Sequence, residues 1–319
     1  MPQGVTGLHH VTAIASDPQR NVDFYAGVLG LRLVKRTVNF DDPGTYHLYY
    51  GDAIGHPGTL LTFFPWQGIG RGRAGSGQIV EVAFAIPQAS LGWWTAHLVE
   101  RGIAYDGPIE RFGEWMISMK DPDGMAVELV AVPGNTTPAQ DWRGATIPNE
   151  HRIRRIHTAT LWLDGYEKSA ALLTEMLGFH KVAEEGNRFR YASGQGGSGA
   201  QVDLRCIPEF WAGGMGAGSV HHMAWRVPDE AAQAELRKAL ANGGVNPTPV
   251  LDRQYFRSVY FREPGGVLFE IATDPPGFAI DESVETLGEQ LKLPPWLESE
   301  RERIEGALPP LRLPSGGSA

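Results

Sequence analysis

The chain repeats itself, and that repetition limits its fold more than any other feature. "DPDGMAVELV" (121–130) and "EPGGVLFEIA" (263–272) share an acid-Pro-x-Gly-x-x-x-Glu frame, a turn feeding a strand whose glutamate falls at the same place. Upstream, "EVAFAIP" (81–87) and "HMAWRVP" (222–228) align through their prolines. Each runs on into a helical pattern stopped at glycine, and 21 residues separate Glu81 from Gly102 just as they separate His222 from Gly243. Two other stretches, "VDFYAGVLGLRLV" (22–34) and "AALLTEMLGFHKV" (170–182), read as a helix ended at Leu-Gly with a strand after it, since glycine relieves left-handed strain at a helix C-terminus. Four units follow, at 6–66, 78–133, 153–208 and 218–274, each reading strand, helix, then two or three strands. The fold class is α+β, four βαβββ modules paired into two domains. The expected division is an N-terminal domain over 1–133, a Pro- and Gly-containing linker over 134–152, a C-terminal domain over 153–274, and a tail over 275–319 with one short charged helix.

Bulk properties narrow the functional class. Apolar residues make up 42% of the 319, enough for sizeable cores. A net charge of −9 argues against nucleic acid as a partner, because neutralising phosphates needs a clustered basic face. Cys206 is the one cysteine, so neither a disulfide framework nor a thiolate metal cluster is expected. The opening "MPQGVTGLHH" lacks a basic-then-apolar order, and no apolar run approaches the ~18 residues of a membrane span. The expectation is a cytoplasmic globular protein with no membrane partner. A homo-oligomer is compatible with all of this.

Four of the ten histidines sit in two pairs, "GLHHVTAIAS" (7–16) and "SVHHMAWRVP" (219–228), each entering a strand-like run. Neighbours on a strand point to opposite faces, so the repeat decides which histidine faces where. In 81–87 the bulky Val82, Phe84 and Ile86 share one face, to be packed on the helix, while Glu81, Ala83 and Ala85 leave the other open as a cup. The same phase puts His10, His222 and Glu270 on the cup side. Two imidazoles and one carboxylate suit a divalent ion with open coordination positions, Fe(II) first, Mn(II) as well, and Zn(II) by ligand type alone. His9 and His221 fall to supporting these ligands or to the core. A second cup is expected from Glu81, Glu128 and His157, read as a solvated or salt-bridged pseudo-site rather than a second metal centre. Phe63, Phe64, Trp66, Trp211 and Trp225 are candidates for apolar walls, and Cys206 reads as a buried structural residue.

The long stretches "GLHHVTAIASDPQRNVDFYAGVLGLRLVKRTVNFDDPGTYHLYYGD" (7–52), "RFGEWMISMKDPDGMAVELV" (111–130), "EEGNRFRY" (184–191), "YFREPGGVLFE" (260–270) and "LGEQLKLPPW" (287–296) resemble the ring-cleaving dioxygenases that act on hydroquinones, within the vicinal oxygen chelate (glyoxalase/bleomycin resistance/extradiol dioxygenase) superfamily. The resemblance implies Fe(II), alternatively Mn(II), held by His10, His222 and Glu270, the residues the face argument selects. It also implies Arg253 and Tyr260, in "DRQYFRSVY", beside the metal as catalytic groups, with His9 and His221 nearby as further catalytic candidates, imidazoles able to shuttle protons near neutral pH. The partners would be a hydroquinone- or catechol-like aromatic substrate and O2. Two other readings stand beside it: a metal-dependent lyase or isomerase of the glyoxalase type, and a non-catalytic binder of an aromatic ligand.

Overall fold

A computed structural model describes residues 4–134 and 139–313. Four residues of the expected linker (135–138) and the last six of the tail lie outside the described residues. The first module is β1 (Leu8–Ala15), helix α1 (Pro18–Val22), β2 (Arg32–Asn39), β3 (Asp42–Gly51) and β4 (Leu60–Pro65). The second is β5 (Gln78–Pro87), α2 (Leu91–Glu100), β6 (Tyr105–Arg111), β7 (Glu114–Lys120) and β8 (Ala126–Val132). The third is β9 (Arg155–Leu163), α3 (Glu167–Glu175), β10 (Phe179–Glu185), β11 (Arg188–Ser193) and β12 (Gln201–Cys206). The fourth is β13 (Val220–Val227), α4 (Glu230–Asn242), β14 (Leu251–Asp252), β15 (Arg257–Arg262) and β16 (Leu268–Thr273). Helix α5 (Arg301–Ala307) closes the tail. No helix among the described residues is long and apolar enough to cross a membrane.

Local chemistry sets the boundaries. Asp17 and Asp229 cap α1 and α4 by accepting from the backbone N–H of Arg20 and Ala232, each at 2.8 Å. The first helix widens into a π turn over Asp23–Val28 and is released at Gly30, whose φ of +65° suits glycine. A side chain there would also strike Ile147.

The sheets pair differently from the expected two halves. One eight-stranded sheet runs β14-β15-β16-β13-β1-β4-β3-β2, and the other β10-β11-β12-β9-β5-β8-β7-β6. The first module is thus joined to the fourth, and the second to the third; the division into 1–133 and 153–274 cuts across both sheets. Each module ends in an open first strand that must find a ladder partner. Because β5 pairs with β9 across the linker, β1 is left for β13. The module boundaries coincide with the strand sets; the partnership is a long-range matter that periodicity does not carry.

Both central pairings have an internal two-fold relation. His10 lies opposite Ala224 and Thr12 opposite His222, a register unchanged when β1 and β13 are exchanged. In the other sheet Glu81 lies opposite Thr160 and Ala83 opposite Thr158. The bulky faces behave as the alternation predicts: Met223, Trp225 and Val227 are fully buried with Leu236 and Leu240 of α4, as are Val82, Phe84 and Ile86 with Leu98 of α2.

Candidate metal centre

The three residues on the cup face of the first sheet converge. His10 Nε2 lies 3.2 Å from His222 Nε2, and Glu270 Oε2 lies 3.3 Å from the first and 3.0 Å from the second. All three are buried, Glu270 completely. Among the described residues they form the one group of three or more His, Cys, Asp or Glu whose ligand atoms gather within 4.8 Å. Glu270 Oε1 accepts from Ser258 Oγ at 2.5 Å, whereas Oε2 is buried with no hydrogen-bond partner among the described residues. An orphaned buried carboxylate oxygen is costly. Here it faces two imidazole nitrogens at separations that three ligands around one ion would show with bonds of about 2.0–2.2 Å. The donor set therefore fits a divalent cation.

Burial pushes the His222 imidazole below its ordinary range, in the direction of the neutral form a ligand requires. The outer nitrogens are equally arranged. His10 Nδ1 lies 2.9 Å from His9 Nδ1, and His222 Nδ1 lies 2.8 Å from His221 Nδ1. A ligand whose Nε2 lone pair is free carries its proton on Nδ1, so His10 and His222 donate and His9 and His221 accept. Burial, reinforced by the adjacent ligand histidines, pushes both acceptors down to about 3.

Strict alternation would send His9 and His221 to the opposite face. They escape it through irregular register: β1 steps between Leu8 and His10, and the same pairing steps on β13 between His222 and Val220. A β-bulge re-aims one side chain, and each of these bulges turns the first histidine of a pair toward the second.

Above the triad lies a cavity of about 390 Å³. Arg253 and Tyr260 both line it, with the guanidinium 5.5 Å from the phenol ring centre and 3.0 Å from Asp41. Burial, together with Glu270, raises the Tyr260 hydroxyl above its ordinary range and keeps it protonated. Of the expected walls, Phe64 and Trp66 face the cavity. Phe63 and Trp225 are core residues, because their strand phase turns them inward, and Trp211 is more than half exposed with Nε1 donating to Ala74. Sequence reasoning missed Phe40, His47, Tyr49 and Phe256, which also line it. Cys206 is half-buried rather than buried.

The second cup is filled by arginines. Glu81 is gripped by Arg188 at 2.8 and 2.9 Å, Glu128 by Arg111 at 3.0 and 3.2 Å, and Asp203 by Arg190 at 2.7 and 2.9 Å. Register corrects one member of the expected set. The position equivalent to His10 is Thr158, so His157 occupies the bulge position of His9 and bonds Glu114 and Gln201 instead.

Comparison with known proteins agrees with this architecture. Residues 7–129 and 155–271 match the Glyoxalase/Bleomycin resistance protein/Dioxygenase superfamily. The chain belongs to this superfamily. Within it, the chain is 45% identical over 98% of its length, and 99% of the relative's, to a Bacillus subtilis (strain 168) protein named "Putative ring-cleaving dioxygenase MhqO". It is 37% identical to the chlorohydroquinone/hydroquinone 1,2-dioxygenase of Sphingobium indicum, over 95% of this chain and 96% of that one. A solved Bacillus subtilis structure, described as a "putative dioxygenase", superposes with a TM-score of 0.92 at 45% identity, covering 98% of this chain and 99% of the other. Glyoxalase I from Zea mays, 14% identical with a TM-score of 0.62 over 84% of this chain and 92% of its own, shares the fold.

Proposed function

We propose that this member of the superfamily is a non-haem Fe(II) dioxygenase, with Mn(II) as the alternative ion, that opens a hydroquinone-like aromatic ring with O2. One observation carries the reading: three protein ligands, and no fourth carboxylate or thiolate among the described residues, gather beneath a cavity walled by aromatic rings. The names of the relatives, one of them a hydroquinone 1,2-dioxygenase, support the same reaction class. When bound, the ion would bring a phenolic substrate and dioxygen to one centre and carry electron density between them.

The chain's own groups do the rest. His10, His222 and Glu270 hold the ion, and His9 and His221 fix the orientation of the two rings. Phe40, Phe64, Trp66 and Phe256 receive the aromatic ring and exclude water. The Tyr260 hydroxyl, held in its neutral form, donates a proton from its oxygen to oxygen on the substrate. Arg253 stays charged, so it orients and stabilises anionic oxygen without giving up a proton. Both atoms of O2 end in the ring-opened product, and the bond broken is the ring C–C bond beside a hydroxyl-bearing carbon. A cytoplasmic setting fits the single cysteine.

The test is oxygen uptake by anaerobically Fe(II)-loaded protein on adding methylhydroquinone, then catechol, with His222→Ala as control. Uptake with a ring-opened chromophore, absent from the variant and faster with the hydroquinone, is the expected result. Metal bound at one ion per chain with no oxygen consumed would overturn the reading and bring forward the glyoxalase-type lyase, which uses the same fold without O2.

A further inference from the structure

The two-fold relation between β1 and β13 extends to their neighbours and exposes a position that the triad leaves unused. Glu270 lies beside Ala224, the residue two beyond His222, and Thr62 lies beside Thr12, the residue two beyond His10. Exchange of the two modules therefore carries Glu270 onto Thr62. The next strands agree: Tyr260 lies opposite Glu270 and Tyr49 opposite Thr62, so Ser258 is carried onto His47. In the fourth module the small residue is on the outer strand, and Ser258 supports the long Glu270. In the first module the sizes are reversed. His47 is the large one, lines the cavity, and bonds through Nε2 to Thr62 Oγ1 at 2.9 Å.

We propose that Thr62 and His47 together occupy the fourth ligand position of a pseudo-symmetric site without ligating, and that this pair keeps the centre at three protein ligands. Both ring nitrogens of His47 are engaged, Nδ1 by the Tyr49 hydroxyl at 2.8 Å and Nε2 by Thr62. Thr62 is fully buried, and its hydroxyl is shared with Thr12 at 2.8 Å. The imidazole therefore fills the space a carboxylate side chain would need, with its N–H and its one nitrogen lone pair both turned to protein. The arginine-filled cup shows what a carboxylate does at this place: its Asp203 corresponds to Thr62, and there the charge is met by Arg190. Thr62 and His47 are positioning residues that determine which chemistry the centre supports. The inference rests on the metal-centre reading above, and it goes beyond it by assigning the residues that hold the site open.

The test transplants the arrangement of the fourth module onto the first. Thr62→Glu combined with His47→Ser reproduces the Glu270–Ser258 pair, and Mn(II) affinity is read from the free-ion magnetic resonance signal. The double variant is expected to bind Mn(II) about tenfold more tightly than the wild type, while oxygen uptake by the Fe(II) form falls by about a hundredfold. Unchanged Mn(II) affinity, or undiminished oxygen uptake, would overturn the proposal. Should the double variant not fold, His47→Gly opens the same space for added formate. Formate is then expected to tighten Mn(II) binding and slow oxygen uptake in His47→Gly and to do neither in the wild type; no difference between the two proteins overturns the proposal. The two readings fail separately. Equal Mn(II) binding by wild type and Glu270→Ala removes the metal centre and this inference with it. Mn(II) binding without oxygen uptake in the wild type removes only the dioxygenase, and the affinity comparison still decides the role of Thr62.

Discussion

At the scale of single residues, the centre depends on atoms that never touch the ion. With His10 and His222 as ligands through Nε2, the Nδ1–H of His10 has one acceptor, His9, and that of His222 has His221. Replacing His9 by Ala leaves a buried donor without a partner and frees the His10 ring to rotate, and such outer partners are worth about 10–100-fold in metal affinity. His9→Ala is therefore expected to weaken Mn(II) binding by about tenfold or more in a titration, with His9→Asn, whose side-chain oxygen accepts a hydrogen bond, recovering part of the loss. Equal affinity in all three proteins would show that His9 only fills space. The sequence made His10, His222 and Glu270 legible because their phase on the strand is set by the bulky residues around them. His47 left no comparable mark: one histidine in "GTYHLYYGD" has meaning only once β3 is known to lie against β4.

Elements carry a second set of constraints. The bulges on β1 and β13 each insert one residue into a ladder, and a two-residue periodicity cannot show where such an insertion falls; the sequence therefore left His9 and His221 between two faces. Strand β2 is the edge of its sheet, and it is covered rather than open. Fully buried Lys35 places its ammonium 2.6 Å from both Asp281 and Glu282 of the tail, and Arg36 bridges to Leu291. The sequence showed a tail with proline breaks but not this clasp, because Lys35 lies 246 and 247 residues from its two carboxylate partners. Lys35→Met would leave buried Glu282, and part-exposed Asp281 beside it, without their cation, at a cost of about 3 kcal/mol. The expected outcome is a lower denaturation midpoint and new protease cleavage within 275–300. Cleavage unchanged from wild type would mean that the tail is held by its apolar contacts alone.

At the scale of the whole molecule, the two sheets are versions of one design that have diverged in what occupies the cup. One presents ligands; the other matches Glu81, Glu128 and Asp203 with arginines. Burial works against the Glu81 carboxylate, but the Arg188 fork overrides it, with Arg111 assisting, and holds it at about 2. The unfolded chain titrates near the ordinary 4.5, so the native state binds fewer protons between these values. This contribution is complete above about pH 4.5 and is lost as pH falls toward 2. Arg188→Met is thus expected to cost about 2 kcal/mol at neutral pH, by removing the two hydrogen bonds of the fork while Arg111 and Arg205 stay near Glu81, and to flatten the acid limb of the stability curve between pH 4.5 and 2. Melting temperatures of metal-free protein across that range provide the check; parallel curves for the two proteins would locate the acid sensitivity elsewhere. That the cup would carry carboxylates without being a metal centre was legible in the sequence, which leaves open whether they are solvated or salt-bridged. Which arginines fill it was not, because Arg111, Arg188 and Arg190 reach it only after β6 and β11 have curled around it.

The partnership of the first module with the last also sets an order in time. His10 and His222 are 212 residues apart and Glu270 lies further on, so the centre does not exist until β16 has been made. During synthesis the second and third modules can join as soon as β12 is free, because their shared sheet needs nothing further along the chain. The first module must meanwhile wait with the central edge of β1 uncovered, a surface prone to wrong pairing in a nascent chain. The arginine-matched cup, chemically the quieter of the two, is the earlier to be complete. The residue of the metal centre that leaves the ribosome first is the one that waits longest for its partners.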